Sequence, residues 1–195
     1  MIILGSSSPR RIELINKLNY KYKIIKPSFN ERSFISNKKE DYSSFLAYKK
    51  LESILINNYD NINLENDLII TFDTSIYKNN KIYNKPKDLN EAFTMLKEFS
   101  NDFHEVITGF SIYYKNIIII DYEITKVYFN DLNDDIIKKY INDESINVLD
   151  KAGSYAIQYD NKYHLINKIE GNLDNVIGFP SIKIQRLLDK LNYKE

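Results

Sequence analysis

Short apolar runs that alternate with amphipathic segments are the feature that most constrains the fold of this chain. The runs MIIL at 1–4 and LIITF at 68–72 have the length of strands and are too short for helices. Because they lack polar alternation, they are typical of strands that are buried on both faces of a sheet. Between them, apolar residues three and four positions apart predict helices that cover such a sheet.

The remaining segments add hairpins and further helices to this pattern. Alternating residues around Asn79-Asn80, at 76–83, and around Lys115-Asn116, at roughly 104–129, predict two hairpins. Further strands are predicted at 22–26 and 162–169, and helices at 9–18, 41–56, 88–99, 133–142 and 181–191. We therefore expect an α/β or α+β fold, with a mixed central sheet and flanking helices, in one domain over residues 1–195.

The composition excludes several classes of protein. With 27 basic and 27 acidic residues the net charge is zero, which argues against a chain that coats nucleic acid or an anionic membrane. There is no cysteine, which excludes disulfides and thiolate sites and is consistent with a reducing compartment. MIIL is too short for the core of a signal peptide, and the run IIII at 117–120 is far shorter than the ~20 residues of a membrane span. We expect a cytoplasmic protein with neither nucleic acid nor membrane as partner.

The stretch Ser8-Pro9-Arg10-Arg11 breaks a rule of helix design. Ser8 suits an N-cap and Pro9 the first helical position. Arg10 and Arg11, however, place two cations in the first turn, where the helix dipole is already positive. A bound phosphate would resolve this conflict, since free backbone N–H groups and arginines both bind phosphate. The alternative is an ordinary helix start with arginines that reach solvent.

Two carboxylates are candidates for a site. Asp73 follows an apolar strand and is expected at its carboxyl end, where sites of α/β sheets tend to lie. Such an aspartate is a metal ligand, a general base or, most commonly, a turn former. Glu31 lies in the polar loop PSFNERSF and by itself is expected to be solvated.

Two lysines are candidates for contact with an anion. At about 100° per residue, Lys49 lies opposite the apolar face of its helix, whereas Lys50 lies on the flank of that face and can reach along it. Pro86 forbids helix at Lys85 and holds it in an extended segment, where it faces either an anion or water. Cations of this kind suit phosphates, and the two carboxylates suit a divalent metal bound to those phosphates.

The order and spacing of these residues resemble those of the Maf family of nucleotide pyrophosphatases over essentially the whole chain. The resembling segments are LGSSSPRRIELI at 4–15, NER at 30–32, AYKKL at 47–51, FDTSIY at 72–77, KP at 85–86, HEVITG at 104–109, DKAGSYAIQ at 150–158 and NVIGFP at 175–180. Eight segments in the family's order are far more specific than any one of them.

The resemblance implies a Maf/ITPase-like α/β fold with two lobes around a cleft. It implies hydrolysis of a nucleoside triphosphate between the α and β phosphates, with Mg²⁺ or Mn²⁺ as cofactor, in a homodimer. By the same resemblance, Asp73 and Glu31 are catalytic and bind the metal. The residues expected to bind substrate are Ser8, Arg10, Arg11, Lys50, Lys85 and Gln158, with Lys50 and Lys85 also catalytic.

Two points stay open at this stage. The segment KAGSYAIQ resembles the branch of the family that prefers thymidine and uridine triphosphates, and the amide of Gln158 can pair with the edge of a uracil or thymine ring. Tyr155 or Tyr159 would then orient that amide, unless Gln158 only braces its loop. A nucleotide-binding regulator of cell division without catalytic activity is the alternative function.

Overall fold

The sheet of this protein is built on the two apolar runs. The computed structural model describes residues 1–29 and 39–194. Its seven strands are β1 (Ile2–Gly5), β2 (Tyr22–Ile24), β3 (Leu68–Lys78), β4 (Lys81–Tyr83), β5 (Phe103–Tyr114), β6 (Ile117–Phe129) and β7 (Ile166–Glu170). They lie in the order β2-β1-β3-β5-β6-β7, with β4 paired to β3. The predicted α/β fold with a mixed central sheet is confirmed.

Parallel and antiparallel pairs occur in the same sheet. β1 pairs in parallel with β2 and with β3, and both of its neighbours are reached through helical connections. β3 and β4 are antiparallel, as are β6 and β7. Both predicted hairpins are present, and Asn79, Asn80, Lys115 and Asn116 have the positive φ that their tight turns require.

Among the described residues, seven α-helices accompany the strands. They are α1 (Pro9–Asn16), α2 (Lys39–Asn57), α3 (Leu89–Phe99), α4 (Asp134–Ile141), α5 (Asp160–Tyr163), α6 (Leu173–Ile177) and α7 (Ser181–Lys190). α3 and α4 begin where the sequence predicts, because Asp88 and Asn133 accept hydrogen bonds from the backbone N–H three residues on. The predicted strand at 162–169 begins later, at Ile166, since residues 160–163 form a helical turn.

The chain divides into two compact units. Unit 1 comprises Met1–Asp73, Thr108–Glu123 and Gly178–Glu195, and unit 2 comprises Thr74–Ile107 and Ile124–Ile177. In unit 1, Ile3 and Ile69 of the sheet pack with Leu51 and Ile54 of α2. In unit 2, Phe99 of α3 packs with a large apolar cluster from β5, β6 and α4. The division agrees with the expected two lobes, and the cleft stays a prediction.

Within the described ranges, no helix has both the length and the apolarity needed to cross a membrane.

Candidate active site

The loop between β1 and α1 is organised by a serine side chain. Ser6 is buried, and its Oγ accepts a hydrogen bond from the backbone N–H of Ser8 at 3.2 Å. Ser8 occupies the N-cap position in extended conformation and Pro9 the first helical position, as predicted. The Ser8 hydroxyl makes no capping hydrogen bond, and the first turn of α1 contains no acidic residue. The N-terminus of α1 therefore keeps the positive end of its dipole uncompensated by side chains.

Arg11 finds oxygen atoms within its own chain. Its Nε donates to the carbonyl oxygen of Gly178 at 2.8 Å, and one terminal nitrogen lies 3.3 Å from both Ser6 Oγ and the carbonyl oxygen of Phe72. The guanidinium also lies 5.4 Å from the centroid of the Phe72 ring, a cation–π contact. Three segments that resemble family motifs, at 4–15, 72–77 and 175–180, thus meet at one side chain. A bound anion is not needed to explain why Arg11 is tolerated there.

Arg10 differs from its neighbour. It is half-buried, and its guanidinium makes no hydrogen bond or ion pair with the described part of the chain. Of the two predicted arginines, Arg10 is therefore the one whose donors are available to an anion.

Lys50 and Asp73 form an ion pair that is largely shielded from solvent. Lys50 Nζ lies 2.6 Å from Asp73 Oδ1, and the two side chains are only 13% and 11% exposed. Lys50 Nζ is also 3.5 Å from the Phe72 carbonyl oxygen, so Arg11 and Lys50 converge on the same backbone group. Lys49, the other lysine at this point of α2, pairs instead with Glu52.

The registers of α2 and β3 explain this pair. Thr71 Oγ1 donates to the carbonyl oxygen of Ala47 at 2.6 Å. Lys50 follows Ala47 by three residues on the same face of α2, and Asp73 follows Thr71 by two residues on the same face of β3. The contact between Lys50 and Asp73 therefore lies next to the contact between Ala47 and Thr71 along the two elements. Gly109 permits the close packing of α2, because a Cβ there would lie 2.2–2.5 Å from backbone atoms of Ser43 and Ser44.

The prediction that Asp73 ends its strand is wrong. β3 continues to Lys78, because β4 pairs with it from Ile76 onward and takes over where β1 stops. The last residue of β3 that pairs with β1 is Thr71, so Asp73 lies two positions past the end of its parallel neighbour. Asp73 nevertheless lies just beyond the carboxyl end of β1, and this is the edge of the sheet where sites of α/β proteins tend to lie.

The predicted metal ligands can be tested only in part. Glu31 lies outside the described residues. Among residues 1–29 and 39–194, no group of three or more His, Cys, Asp or Glu side chains could hold a metal ion. Mg²⁺ commonly takes only one or two carboxylates and completes its shell with water and substrate phosphates. The Asp73 carboxylate is a hard oxygen donor, which pairs with the Lys50 ammonium in this structure, and it fits that mode of binding.

Unit 2 contains the other predicted residues. Lys85 is exposed and pairs with Asp150 at 3.0 Å. The carbonyl oxygen of Asn84 accepts from the N–H of Gly153 at 3.1 Å, so the segment around Lys85 is bonded to the loop that leads to Gln158. Gln158 itself is exposed, and its amide makes no hydrogen bond with the described residues. That exposure favours contact with a ligand over a bracing role.

A buried histidine anchors the same loop, and sequence reasoning missed it. His104 is 1% exposed, and its Nε2 lies 2.8 Å from the hydroxyl of Tyr155. Burial lowers the pKa of His104 to about 3; nearby Lys78 lowers it further and Asp102 opposes the shift. The Tyr155 hydroxyl is therefore engaged by His104, and the orientation of Gln158 by Tyr155 or Tyr159 stays a prediction. The signal was available, since both residues lie in family-like segments, at 104–109 and 150–158.

Comparison with known proteins places the chain in a family. A dTTP/UTP pyrophosphatase of Thermosipho melanesiensis is 41% identical over 187 residues, 96% of either chain. One of Alkaliphilus oremlandii is 37% identical over 94% of this chain and 92% of its own. A solved nucleoside-triphosphatase / dITP/XTP pyrophosphatase of Mycobacterium abscessus is 12% identical over 98% of this chain and 94% of its own, with a TM-score of 0.43. The family model for Maf-like proteins matches residues 1–191, and this chain belongs to that family.

Proposed function

We propose that this protein is a nucleoside triphosphate pyrophosphatase that acts on dTTP and UTP, or on modified pyrimidine nucleotides. It hydrolyses the anhydride between the α and β phosphates and releases a nucleoside monophosphate and pyrophosphate. The names of relatives that align over nearly their full length support this activity. The proposal includes a homodimer that works in the cytoplasm, with residues 1–195 as one functional domain.

The observation that carries the proposal is that Arg11 and Lys50 both donate to the Phe72 carbonyl oxygen, while Lys50 also pairs with the Asp73 carboxylate. Hydrolysis of an anhydride needs donors for the phosphate oxygens and an acceptor for the proton of the attacking water. Lys50 and Arg10 supply donors. Arg11 lies in the first turn of α1, next to Arg10, and is held there by the carbonyl oxygens of Gly178 and Phe72. The Asp73 carboxylate supplies the acceptor.

The Lys50–Asp73 pair is suited to exchange partners when substrate binds. Without nucleotide, each charge compensates the other in a largely desolvated position. A phosphate oxygen would compete for Lys50 Nζ, and the Asp73 carboxylate would then be free to accept a proton from water. Water adds to the α-phosphorus as its proton passes to Asp73. The bond from the α-phosphorus to the bridging oxygen breaks, and pyrophosphate leaves with that oxygen.

Asp73, together with Glu31, would hold Mg²⁺ or Mn²⁺. When bound, such an ion neutralises charge on the phosphate oxygens. In unit 2, we assign a phosphate contact to Lys85, whose exposed partner Asp150 is easily exchanged, and recognition of the base to Gln158.

The test is product analysis with a matched pair of variants. Purified protein is incubated with dTTP in Mg²⁺, and dTMP and pyrophosphate are measured, with and without excess chelator. We expect both products in equal amounts, no activity in chelator and recovery with Mg²⁺ or Mn²⁺. Asp73→Asn should lose at least ~100-fold in turnover, since general bases contribute ~10²–10⁴-fold. Asp60→Asn, at an exposed carboxylate of unit 1, is the control.

The alternative function is separated by the same experiment. A regulator of cell division that only binds nucleotide would retain dTTP on equilibrium dialysis and form no dTMP. Full activity in chelator would contradict the metal, and a near-wild-type rate of Asp73→Asn would contradict the role of Asp73.

A further inference from the structure

The first half of β6 has no strand on its outer side. β7 pairs with β6 only from Lys126 to Phe129, and among the described residues no other strand pairs with the outer edge at 117–125. This stretch contains the largest run of exposed apolar side chains in the sheet: Ile117, Ile118 and Ile120 are 50%, 45% and 48% exposed, and Tyr122 is 38% exposed. An apolar strand edge of this length pairs readily with another strand.

Other free edges of the sheet are protected in ordinary ways. β2 is only three residues long. β7 carries Lys168 and Glu170, which form an ion pair on the exposed edge. Short strands and charged side chains both discourage pairing. Residues 117–120 have neither form of protection.

The turn before β6 determines which backbone groups point outward. Lys115 and Asn116 form a two-residue turn with φ of 47° and 64°, so Ile117 pairs with Tyr114 of β5. Alternation then directs the N–H and C=O groups of Ile118, Ile120 and Tyr122 to the outer side.

Tyr122 is already occupied at that side. Lys183 Nζ of α7 donates to the Tyr122 carbonyl oxygen at 2.5 Å, and the Tyr122 N–H donates to Asp121 Oδ1 at 2.7 Å. These side-chain contacts confirm the direction of the backbone groups and block strand pairing at Tyr122. Ile118 and Ile120 are left as the two outward residues between the turn and this block.

We propose that the outer edge of β6 pairs with the same edge of a second copy of this chain, in antiparallel orientation around a two-fold axis at Ile119. In this register Ile118 lies opposite Ile120 of the second copy, and the two pairs exchange four backbone hydrogen bonds. The inference deepens the homodimer of the proposed function by assigning its interface, and it does not depend on the catalytic residues.

Self-complementarity identifies the second copy as the occupant. A shift of the axis by one residue towards Tyr122 would pair Ile118 with the blocked Tyr122, and a shift the other way would pair Ile120 with Asn116 in the turn. Only the axis at Ile119 pairs free residues with free residues. It also places Lys115 opposite Glu123 of the second copy, so opposite charges flank the isoleucines on both sides.

Disulfide trapping tests the register directly, because the chain has no cysteine of its own. Ile119 points its backbone towards β5, so Ile119 and its copy form a pair without hydrogen bonds, with Cα atoms about 4.5 Å apart. That distance suits a disulfide, and Ile119→Cys should form covalent dimers under mild oxidation with diamide. Ile117→Cys lies about 13 Å from its own copy in this register and should not. Ile56→Cys, on an apolar side chain 71% exposed in α2, controls for random collision.

Sedimentation equilibrium gives a second measurement on variants that retain the strand. The double substitution Ile118→Lys and Ile120→Lys, at exposed positions, should convert a dimer to a folded monomer that still unfolds in one cooperative thermal transition. Cross-linking of Ile119→Cys no faster than of Ile56→Cys, or equal cross-linking of Ile117→Cys, overturns the interface. A dimer that survives the double substitution also overturns it while leaving the homodimer intact. A monomeric wild-type protein overturns both, and dTTP hydrolysis, measured separately, is unaffected by either result.

Discussion

Arg10 and Arg11 are adjacent in the sequence and differ in the contacts that they make in the folded chain. Arg11 joins α1 to the backbone at Gly178 and Phe72, whereas Arg10 has no partner among the described residues. Sequence reasoning treats both as cations in an unfavourable helix turn and cannot separate them. The distinction depends on carbonyl groups 61 and 167 residues away in the chain.

The two arginines therefore make a matched pair for mutation. Arg11→Ala should lower the free energy of unfolding by roughly 1–3 kcal/mol, because it removes the charged donor to the Gly178 carbonyl and leaves the Phe72 carbonyl with only the 3.5 Å contact from Lys50. Arg10→Ala should change it by less than about 0.5 kcal/mol. Both should weaken nucleotide binding. Urea unfolding without nucleotide and calorimetric titration with dTTP measure the two effects, and unchanged stability of Arg11→Ala would contradict the structural part of its role.

At the scale of elements, the local sequence pattern predicted most strands and helices. It failed where the end of a strand is determined by the strand that pairs with it. The placement of Lys50 followed from helix geometry alone, since 100° per residue separates it from Lys49. The end of β3 did not, because nothing local to Asp73 indicates that β4 takes over from β1 at that point. The His104–Tyr155 bond was missed for the same reason, as its partners are 51 residues apart.

That buried histidine makes the stability of β5 and its loop sensitive to acid. The pKa of His104 is lowered to about 3 by burial, whereas in the unfolded chain it has the ordinary value of 6.5. Below pH 6.5 the His104 ring binds a proton in the unfolded state but not in the folded state. Stability is therefore unaffected above pH 6.5 and falls as the pH drops towards 3, with a slope approaching ~1.4 kcal/mol per pH unit.

Unfolding free energies between pH 7 and 5 test this expectation. His104→Gln should flatten the slope whatever its effect on stability at pH 7, because Gln does not titrate. His164→Asn, at an exposed position with φ of 50° that Asn accepts, should keep the slope. The same slope in His104→Gln and wild type would show that another group titrates. Carboxylates with lowered pKa, such as Glu98, contribute only below this window.

At the scale of the whole molecule, the sequence carried information about the site in two forms. Residue chemistry indicated phosphate and metal binding, and the order of eight segments indicated the family, which the match over residues 1–191 confirms. Neither indicated that the predicted residues divide between two units, with Arg11, Lys50 and Asp73 in unit 1 and Lys85 and Gln158 in unit 2. That division follows from the passage of β3, β5 and β6 from one unit to the other, which is a property of the tertiary structure.

Gln158 lies in unit 2, and its exposed amide is the group that we propose to recognise the base of the substrate. A uracil or thymine ring presents an N3–H donor beside a carbonyl acceptor, and a Gln amide offers the complementary pair. Loss of these hydrogen bonds leaves the edge of the base poorly paired. We expect the cost in binding free energy to be ~1.4 kcal/mol, which corresponds to a factor of ten. Gln158→Ala should therefore reduce the preference for dTTP and UTP over GTP about tenfold, measured as the ratio of kcat/KM values.

Two controls separate recognition from bracing. Because the Gln158 amide makes no hydrogen bond with the described residues, Gln158→Ala should leave the midpoint of thermal unfolding unchanged, and a lowered midpoint would indicate that Gln158 braces its loop. Gln185→Ala, in α7, removes an amide that bonds Tyr20 and Asp189 and should leave the substrate ratio as it is. If 7-methylguanosine triphosphate is the best substrate of the wild-type protein in the same assay, the preference for pyrimidines is wrong. The pyrophosphatase activity would stand, since hydrolysis of that nucleotide also releases pyrophosphate.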